Sequence, residues 1–349
     1  MVSRLAGRPG SDGPDRCRQS THRGVRGRAA ACRHGRRPGD AVTGAPDVPV
    51  VVFGDVCLHV TVHPSGSDEF CAGDVKLDPG GSAAMVALQL AALERRVAMV
   101  GVSGQDRLAE HLRERLIASG VDCSRWTSVA GNTARVAILV ESDGGHRVIV
   151  DHGDMKRPGE ALSTLARELP LRDDVLCYVP GFPDYDPLRV ALVEQGARVV
   201  CDFGFRPWLT DAATARDNIV SRVNGVAIAI CSGASFSEGD NRALAQACIA
   251  GGAAGVVTSL GSRGCLVSDA EGTTHQAGFA TRAVNTLGAG DSLVAGLLAA
   301  LADGRSLQEA CVFAQAVAAM KITTLSRPAT VHGVRALLAT AGDHDDDQR

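Results

Sequence analysis

Residues 284–297 read Val-Asn-Thr-Leu-Gly-Ala-Gly-Asp-Ser-Leu-Val-Ala-Gly-Leu (VNTLGAGDSLVAGL). Gly-Ala-Gly ahead of an apolar helix leaves backbone N–H groups without intrahelical partners, and an anion is their natural guest. A carboxylate at Asp291 is out of place beside an anion unless it faces a second group. The pattern therefore predicts a phosphoryl group on the turn and a hydroxyl beside Asp291, which takes the hydroxyl proton as the oxygen attacks. In a loose phosphoryl-transfer transition state that proton can leave late, so the carboxylate needs no raised basicity. Taken alone, the same four residues also fit a plain helix start in a Gly/Ala-rich chain, with Asp291 as a cap.

The surrounding pattern predicts an α/β fold. Short β-branched runs at 48–56, 97–102, 174–179, 197–202, 226–231 and 254–259 alternate with helical patterns at 82–93, 106–118, 186–195 and 240–250. Such alternation implies parallel pairing with helices on both faces of the sheet. Ser82 reads as the N-cap of the first helix. A helical pair at about 290–302 and 307–320 closes the pattern, the second opening on Ser306 and Glu309 at capping-box spacing. Residues 58–78 and 132–150 alternate without a helix of their own. They predict a small β lid, its second part a hairpin turning at Ser142-Asp143-Gly144-Gly145.

Composition narrows the function classes. The chain of 349 residues is 45% apolar and only 3% aromatic, with a net charge of −3, which gives the whole no nucleic-acid or membrane signature. Residues 1–46 differ: ten arginines, no lysine and three acids, without an apolar run, predict a disordered extension. A transit peptide or a nucleic-acid tail shares that composition. A GTG codon at Val42 would place the true start there. Residues 341–349 read as a disordered acidic tail, leaving 47–340 as the folded domain. The eleven cysteines are scattered without a CxxC pair and lie mostly in apolar runs, as buried reduced thiols of a cytoplasmic protein do.

Asn285-Thr286 before GAGD, then Gly296 one turn on, resembles the second signature of the ribokinase family, the PfkB carbohydrate kinases, D-T-x-G-A-G-D-x-F-x-x-G. Further segments resemble the family in order. Asp78-Pro79-Gly80-Gly81-Ser82 is similar to its first signature, Gly101 to Asp106 to G-x-x-G-x-D, and Gly120-Val121-Asp122 to its G-V-D segment. Asp202-Phe203-Gly204-Phe205-Arg206 is similar to D-x-N-x-R, and Thr258 to Gly264 to the T-x-G-x-x-G turn.

The resemblance implies a three-layer α/β/α ribokinase-like domain with a mostly parallel central sheet, and ATP with Mg2+ as cofactors. It implies transfer of a phosphoryl group to the hydroxymethyl group of a small sugar or sugar-like alcohol. Asp291 would be the base and Gly288, Ala289 and Gly290 the anion hole. Thr258, Gly261, Gly264 and Thr286 would meet the nucleotide. Asp55, His59, Gly80, Gly81 and Arg206 would adjoin the acceptor. A homodimer through the lid is a further expectation.

Departures cluster at the sugar end and around the metal. His59 stands where the family carries a hydroxyl-gripping aspartate, and Met85 where it carries asparagine. The N-x-x-E segment that orders magnesium is absent from 231–238, where Glu238 is a weak substitute. Asn285 replaces the acid beside which the family often holds a monovalent cation. A nucleoside acceptor is the rival within the same chemistry, although Phe70 is the single lid aromatic. The rival from another class is a non-catalytic metabolite-binding descendant.

Overall fold

Val50, Val51, Val52 and Phe53 are fully buried, and they alternate between two separate cores. Val50 and Val52 pack on one side of the strand, Val51 and Phe53 on the other. A strand apolar on both faces needs a helical layer on each. The computed structural model describes residues 49–66, 71–140, 145–155, 157–204, 212–325 and 327–346.

In chain order, β1 (Val50–Asp55) leads into lid strands β2 (Cys57–Pro64) and β3 (Gly73–Gly80), then α1 (Ser82–Ala92), β4 (Val97–Ser103) and α2 (Arg107–Ala118). A short β5 (Trp126–Ser128) precedes lid strands β6 (Arg135–Val140) and β7 (His146–Asp151). The chain continues through α3 (Pro158–Glu168), β8 (Leu176–Pro180), α4 (Asp186–Glu194), β9 (Arg198–Asp202), α5 (Ala212–Val220), β10 (Ile228–Ser232), α6 (Glu238–Ala250) and β11 (Gly255–Ser259). The hairpin β12 (Cys265–Asp269) and β13 (Gly272–Gln276) precedes α7 (Ala289–Ala302), α8 (Leu307–Ile322) and α9 (Val331–Asp346).

The nine-stranded sheet runs β13-β12-β11-β10-β9-β8-β1-β4-β5. It is parallel from β11 to β5, with β12 and β13 antiparallel at one edge. Helices α1, α2, α7 and α8 cover one face, and α3, α4, α5 and α6 the other. This is the expected three-layer α/β/α fold. The expected lid is the four-stranded sheet β3-β2-β6-β7, with β2 and β6 parallel. Residues 142–144 of its expected turn lie outside the described residues, as do residues 1–48.

Two local readings change. Ser82 is not the cap of α1: Gly81, at φ 92°, is the N-cap, with no side-chain cap bond. The Ser82 hydroxyl is thereby released for the site. At the other end, α9 carries helical backbone through Asp346, into the stretch expected to be an acidic tail. The capping box of α8 forms as read, with Ser306 and Glu309 bonded reciprocally.

Helices α7 and α8 approach closely because Gly296 has no side chain: a Cβ there would stand 2.7 Å from Ala314 Cα. Helix α7 also packs against α1 and β1, and open α/β sheets place their ligands at the C-terminal ends of such strands. Among the described residues no helix is long and apolar enough to cross a membrane. The nine cysteines among them are all free, and eight of these are buried.

Candidate active site

Gly288, at φ 75°, is the N-cap of α7, a left-handed conformation that glycine takes without strain. Three bonds tie the approach to this turn to the end of α8. The Val284 and Asn285 amides donate to Ile322 O at 2.7 and 3.1 Å, and Asn285 Nδ2 donates to Leu325 O at 2.5 Å. Asn285 Oδ1 in turn accepts from the Leu287 amide at 2.9 Å. The three glycine-turn amides are not equivalent. That of Ala289 closes the turn onto Thr286 O at 3.1 Å, whereas those of Gly288 and Gly290 meet no protein acceptor among the described residues. An anion on this turn therefore has two donors waiting, not three.

Asp291 is the third residue of α7 and half-buried. Ser82 Oγ donates to its Oδ1 at 2.7 Å, and Tyr178 OH lies 2.7 Å from the same Ser82 oxygen. Because Ser82 spends its proton on the carboxylate, Tyr178 is the donor to Ser82. The chain Tyr178–Ser82–Asp291 joins β8, α1 and α7. Asp202, at the end of β9, lies close enough to raise the Tyr178 phenol further above its ordinary range, chiefly set by burial. Burial pushes the Asp202 carboxyl up to about 6, against the opposing bond from the Gly204 amide.

On the acceptor side, the His59 ring lies on Gly80: a Cβ at Gly80 would stand within bonding distance of the imidazole. His59 Nε2 accepts from the Gly81 amide at 3.2 Å, so the proton sits on Nδ1. Burial holds the imidazole below its ordinary pKa, partly offset by Asp78. His59 thus replaces a free acid by a ring with one nitrogen already used. Asp55 is likewise engaged: Tyr185 OH donates to its Oδ1, and the Asp55 amide donates back to the same hydroxyl at 3.1 Å. Burial raises the Asp55 pKa, and the Tyr185 bond works against that rise. Arg206 lies outside the described residues. A cavity of about 530 Å³ opens between the lid and the loop before α7, lined by His59, Lys76, Asp78, Met85, Asn285 and Lys321 among others.

On the nucleotide side, Thr258 is the penultimate residue of β11, fully buried, with its hydroxyl lacking a hydrogen-bond partner among the described residues. Gly261 and Gly264 have φ of 64° and 94°, and a Cβ at Gly264 would strike Gln276 O. The turn closes through Leu260 N to Gly264 O at 2.7 Å. Thr286 is exposed and contributes its carbonyl to the α7 turn.

Glu238 is the weak metal candidate. It is exposed on the first turn of α6 and ion-paired to Arg242 at 2.8 Å, four residues on. No group of three or more His, Cys, Asp or Glu side chains is placed to hold a metal among the described residues. A magnesium ion carried by nucleotide phosphates needs only one or two carboxylates, its remaining positions being water and phosphate. Asp202 and Asp291 are the acids near the turn that fit such a role.

The structure therefore brings Asp291 together with Gly288 and Gly290, and His59 with Gly80 and Gly81. It adds Ser82, Tyr178, Asp202 and Lys321, none of which the sequence reading counted among the site residues. For Lys321 a signal existed: it is the single cation in the otherwise apolar run Ala316 to Ile322.

Comparison with known proteins gives the family and the fold. The pfkB family carbohydrate kinase profile matches residues 49–327. The chain is similar to fructosamine kinase FrlD of Bacillus subtilis, 28% identical over 64% of this chain and 76% of that protein. It is similar to the ATP-dependent ribose-1-phosphate kinase of Halopiger xanaduensis, 28% identical over 76% of this chain and 88% of that one. In structure it resembles ribokinase from Thermotoga maritima, with a TM-score of 0.65 at 20% identity, covering 84% of this chain and 99% of the other.

Proposed function

The chain belongs to the pfkB family of carbohydrate kinases, and from that premise we propose that it is an ATP-dependent phosphotransferase. Its acceptor is the hydroxymethyl group of a small sugar or sugar-like alcohol. Asp291 accepts the proton from the acceptor hydroxyl. The acceptor oxygen forms a bond to the terminal phosphorus, and the bond from that phosphorus to the leaving diphosphate oxygen breaks with its electron pair. The Gly288 and Gly290 amides and the start of α7 stabilise the charge that spreads over the transferring oxygens. Magnesium, when bound with the nucleotide, neutralises phosphate charge during transfer. Ser82 holds Asp291 in one orientation.

One observation carries this reading: a half-buried carboxylate directly follows a turn whose two glycine amides meet no protein acceptor among the described residues. Thr258, Gly261, Gly264 and Thr286 are proposed to border the nucleotide, and Asp55, His59, Gly80 and Gly81 the acceptor. The reading is tested by incubating the protein with ATP, magnesium and a panel of sugars and polyols, with products followed by 31P NMR. A new phosphomonoester on a primary carbon supports it. ATP left unconsumed across the panel counts against it.

A dimer joined through the lid, in a protein of the cytoplasm, completes the proposal. Its support is one lid face, where Leu77, Val60, Ala137 and Ile149 stand in register, followed by Val75, Val62 and Leu139. Val75, Leu77 and Ile149 are 60%, 53% and 71% exposed, more apolar surface than an isolated sheet usually shows to water. Light scattering gives the mass: a monomer at micromolar concentration would refute the dimer.

A further inference from the structure

Lys321 lies on the last turn of α8, only 5% exposed, and its ammonium forms no hydrogen bond or ion pair with any described residue. It nevertheless lines the cavity between lid and α7. Its Cε, Met85 Cε and Asp291 Oδ2 converge on Gly288, at 3.6, 3.5 and 3.9 Å from where a Cβ on that glycine would stand. Buried charges in proteins are ordinarily paired, because an isolated ammonium out of water is costly. Asp291 is near enough to favour the charged form, while burial disfavours it. Asp291 is thus the one charge of opposite sign beside it among the described residues, and because Lys321 lines the cavity, an anionic ligand there is within its reach.

The cavity itself favours an anion. Lys76, Arg115 and Lys321 line it against one acid, Asp78, which is already ion-paired to Arg115 at 2.7 Å. His59 adds no negative charge, and Met85 offers a neutral sugar no hydrogen bond. A pocket for an uncharged polyol needs donors and acceptors in balance, and here the Lys321 ammonium stands beside a carbon-lined floor of Met85 and Leu88.

We propose that Lys321 binds an anionic group, a carboxylate or a phosphate, carried by the acceptor, so that the substrate is an acidic sugar derivative and not a neutral sugar. The inference rests on the kinase reading above and names its substrate class. The ammonium grips the acid while the alcohol to be phosphorylated lies against Asp291. Lys321 is a binding residue here, selecting charge.

The test uses full-length protein saturated with a non-hydrolysable ATP analogue and magnesium, so that the nucleotide site is filled before any acceptor probe is added. Calorimetric titrations then compare D-gluconate with D-glucitol, which differ by a carboxylate in place of a hydroxymethyl group, and inorganic phosphate as the minimal anion. Wild type is expected to bind gluconate or phosphate, with affinity falling tenfold or more in Lys321→Met and staying within about threefold in Lys321→Arg. Glucitol affinity is expected to change less than twofold. Lys321→Gln replaces the methionine variant should that one not fold. Equal anion affinity in wild type and Lys321→Met, or no anion binding by wild type, overturns the proposal. Loss of analogue affinity in Lys321→Met with anion binding intact also overturns it, by assigning the ammonium to the nucleotide phosphates. Failure of the kinase reading shows separately, as absence of analogue binding to wild type in the first step.

Discussion

Ser82 Oγ donates to Asp291 Oδ1 across 2.7 Å, although 209 positions separate them in the chain. The bond links the first turn of α1 to the first turn of α7, and Tyr178 supports it from β8. A carboxylate held this way keeps its plane in one orientation, which is how positioning lowers a barrier.

Ser82→Ala removes that constraint. A hydrogen bond to a charged group contributes about 1.5–3 kcal/mol, so kcat is expected to fall about tenfold or more while ATP affinity stays within twofold. The buried Tyr178 hydroxyl then loses its acceptor, lowering stability by about 1–3 kcal/mol. Tyr178→Phe, which removes the orphaned group as well, is expected to be milder in both. Steady-state kinetics and urea unfolding of the two variants check the order.

Gly80→Ala drives a methyl into the His59 imidazole, which lies directly over the Gly80 Cα. Overpacking of this kind costs about 1–3 kcal/mol. His59→Ala makes room but leaves the Gly81 amide without its acceptor. The two changes are in contact, so they are expected to couple by at least about 1 kcal/mol in a double-mutant cycle read from denaturant midpoints. Additive costs would show that the ring does not rest on Gly80.

Asp202 makes stability depend on pH. Its carboxyl holds its proton more tightly when folded, with a pKa pushed up to about 6 from 3.8, so the folded state binds more protons between those values. Stability of the ligand-free protein is therefore expected to fall as pH rises from about 4 through 6, by an amount on the order of 3 kcal/mol from this group. Asp202→Asn keeps the oxygen that accepts from Gly204 and removes the charge. It is expected to flatten that slope and to raise Tm at pH 7. An unchanged slope in thermal unfolding across pH 4–7 would show that Asp202 is not the group responsible.

Much of this fold is legible in the chain because its strands are short apolar runs such as Val50 to Phe53, each closed by a turn. The lid is legible for the opposite reason, alternation without an intervening helix. Helix α3 escapes the sequence reading because small or polar residues, such as Ser163 and Ala166, make much of its contact. At the site, the glycines are readable since each answers a local backbone demand: Gly288 and Gly264 take positive φ. Ser82, Tyr178 and Lys321 are not readable from spacing, since tertiary packing of α1, β8 and α8 against α7 brings them to Asp291. Ser82 even carries a misleading local signal, being a good cap residue beside a helix that Gly81 caps instead.

The most direct measurement compares kcat of wild type and Asp291→Asn on the acceptor found by the product screen, with nucleotide affinity measured on the same preparations. Removal of a positioned base is expected to lower kcat on the order of a thousandfold, with nucleotide affinity changed less than about threefold. Equal turnover in the two proteins would contradict the role given to Asp291, and with it the reading of the glycine turn as a phosphoryl-transfer site.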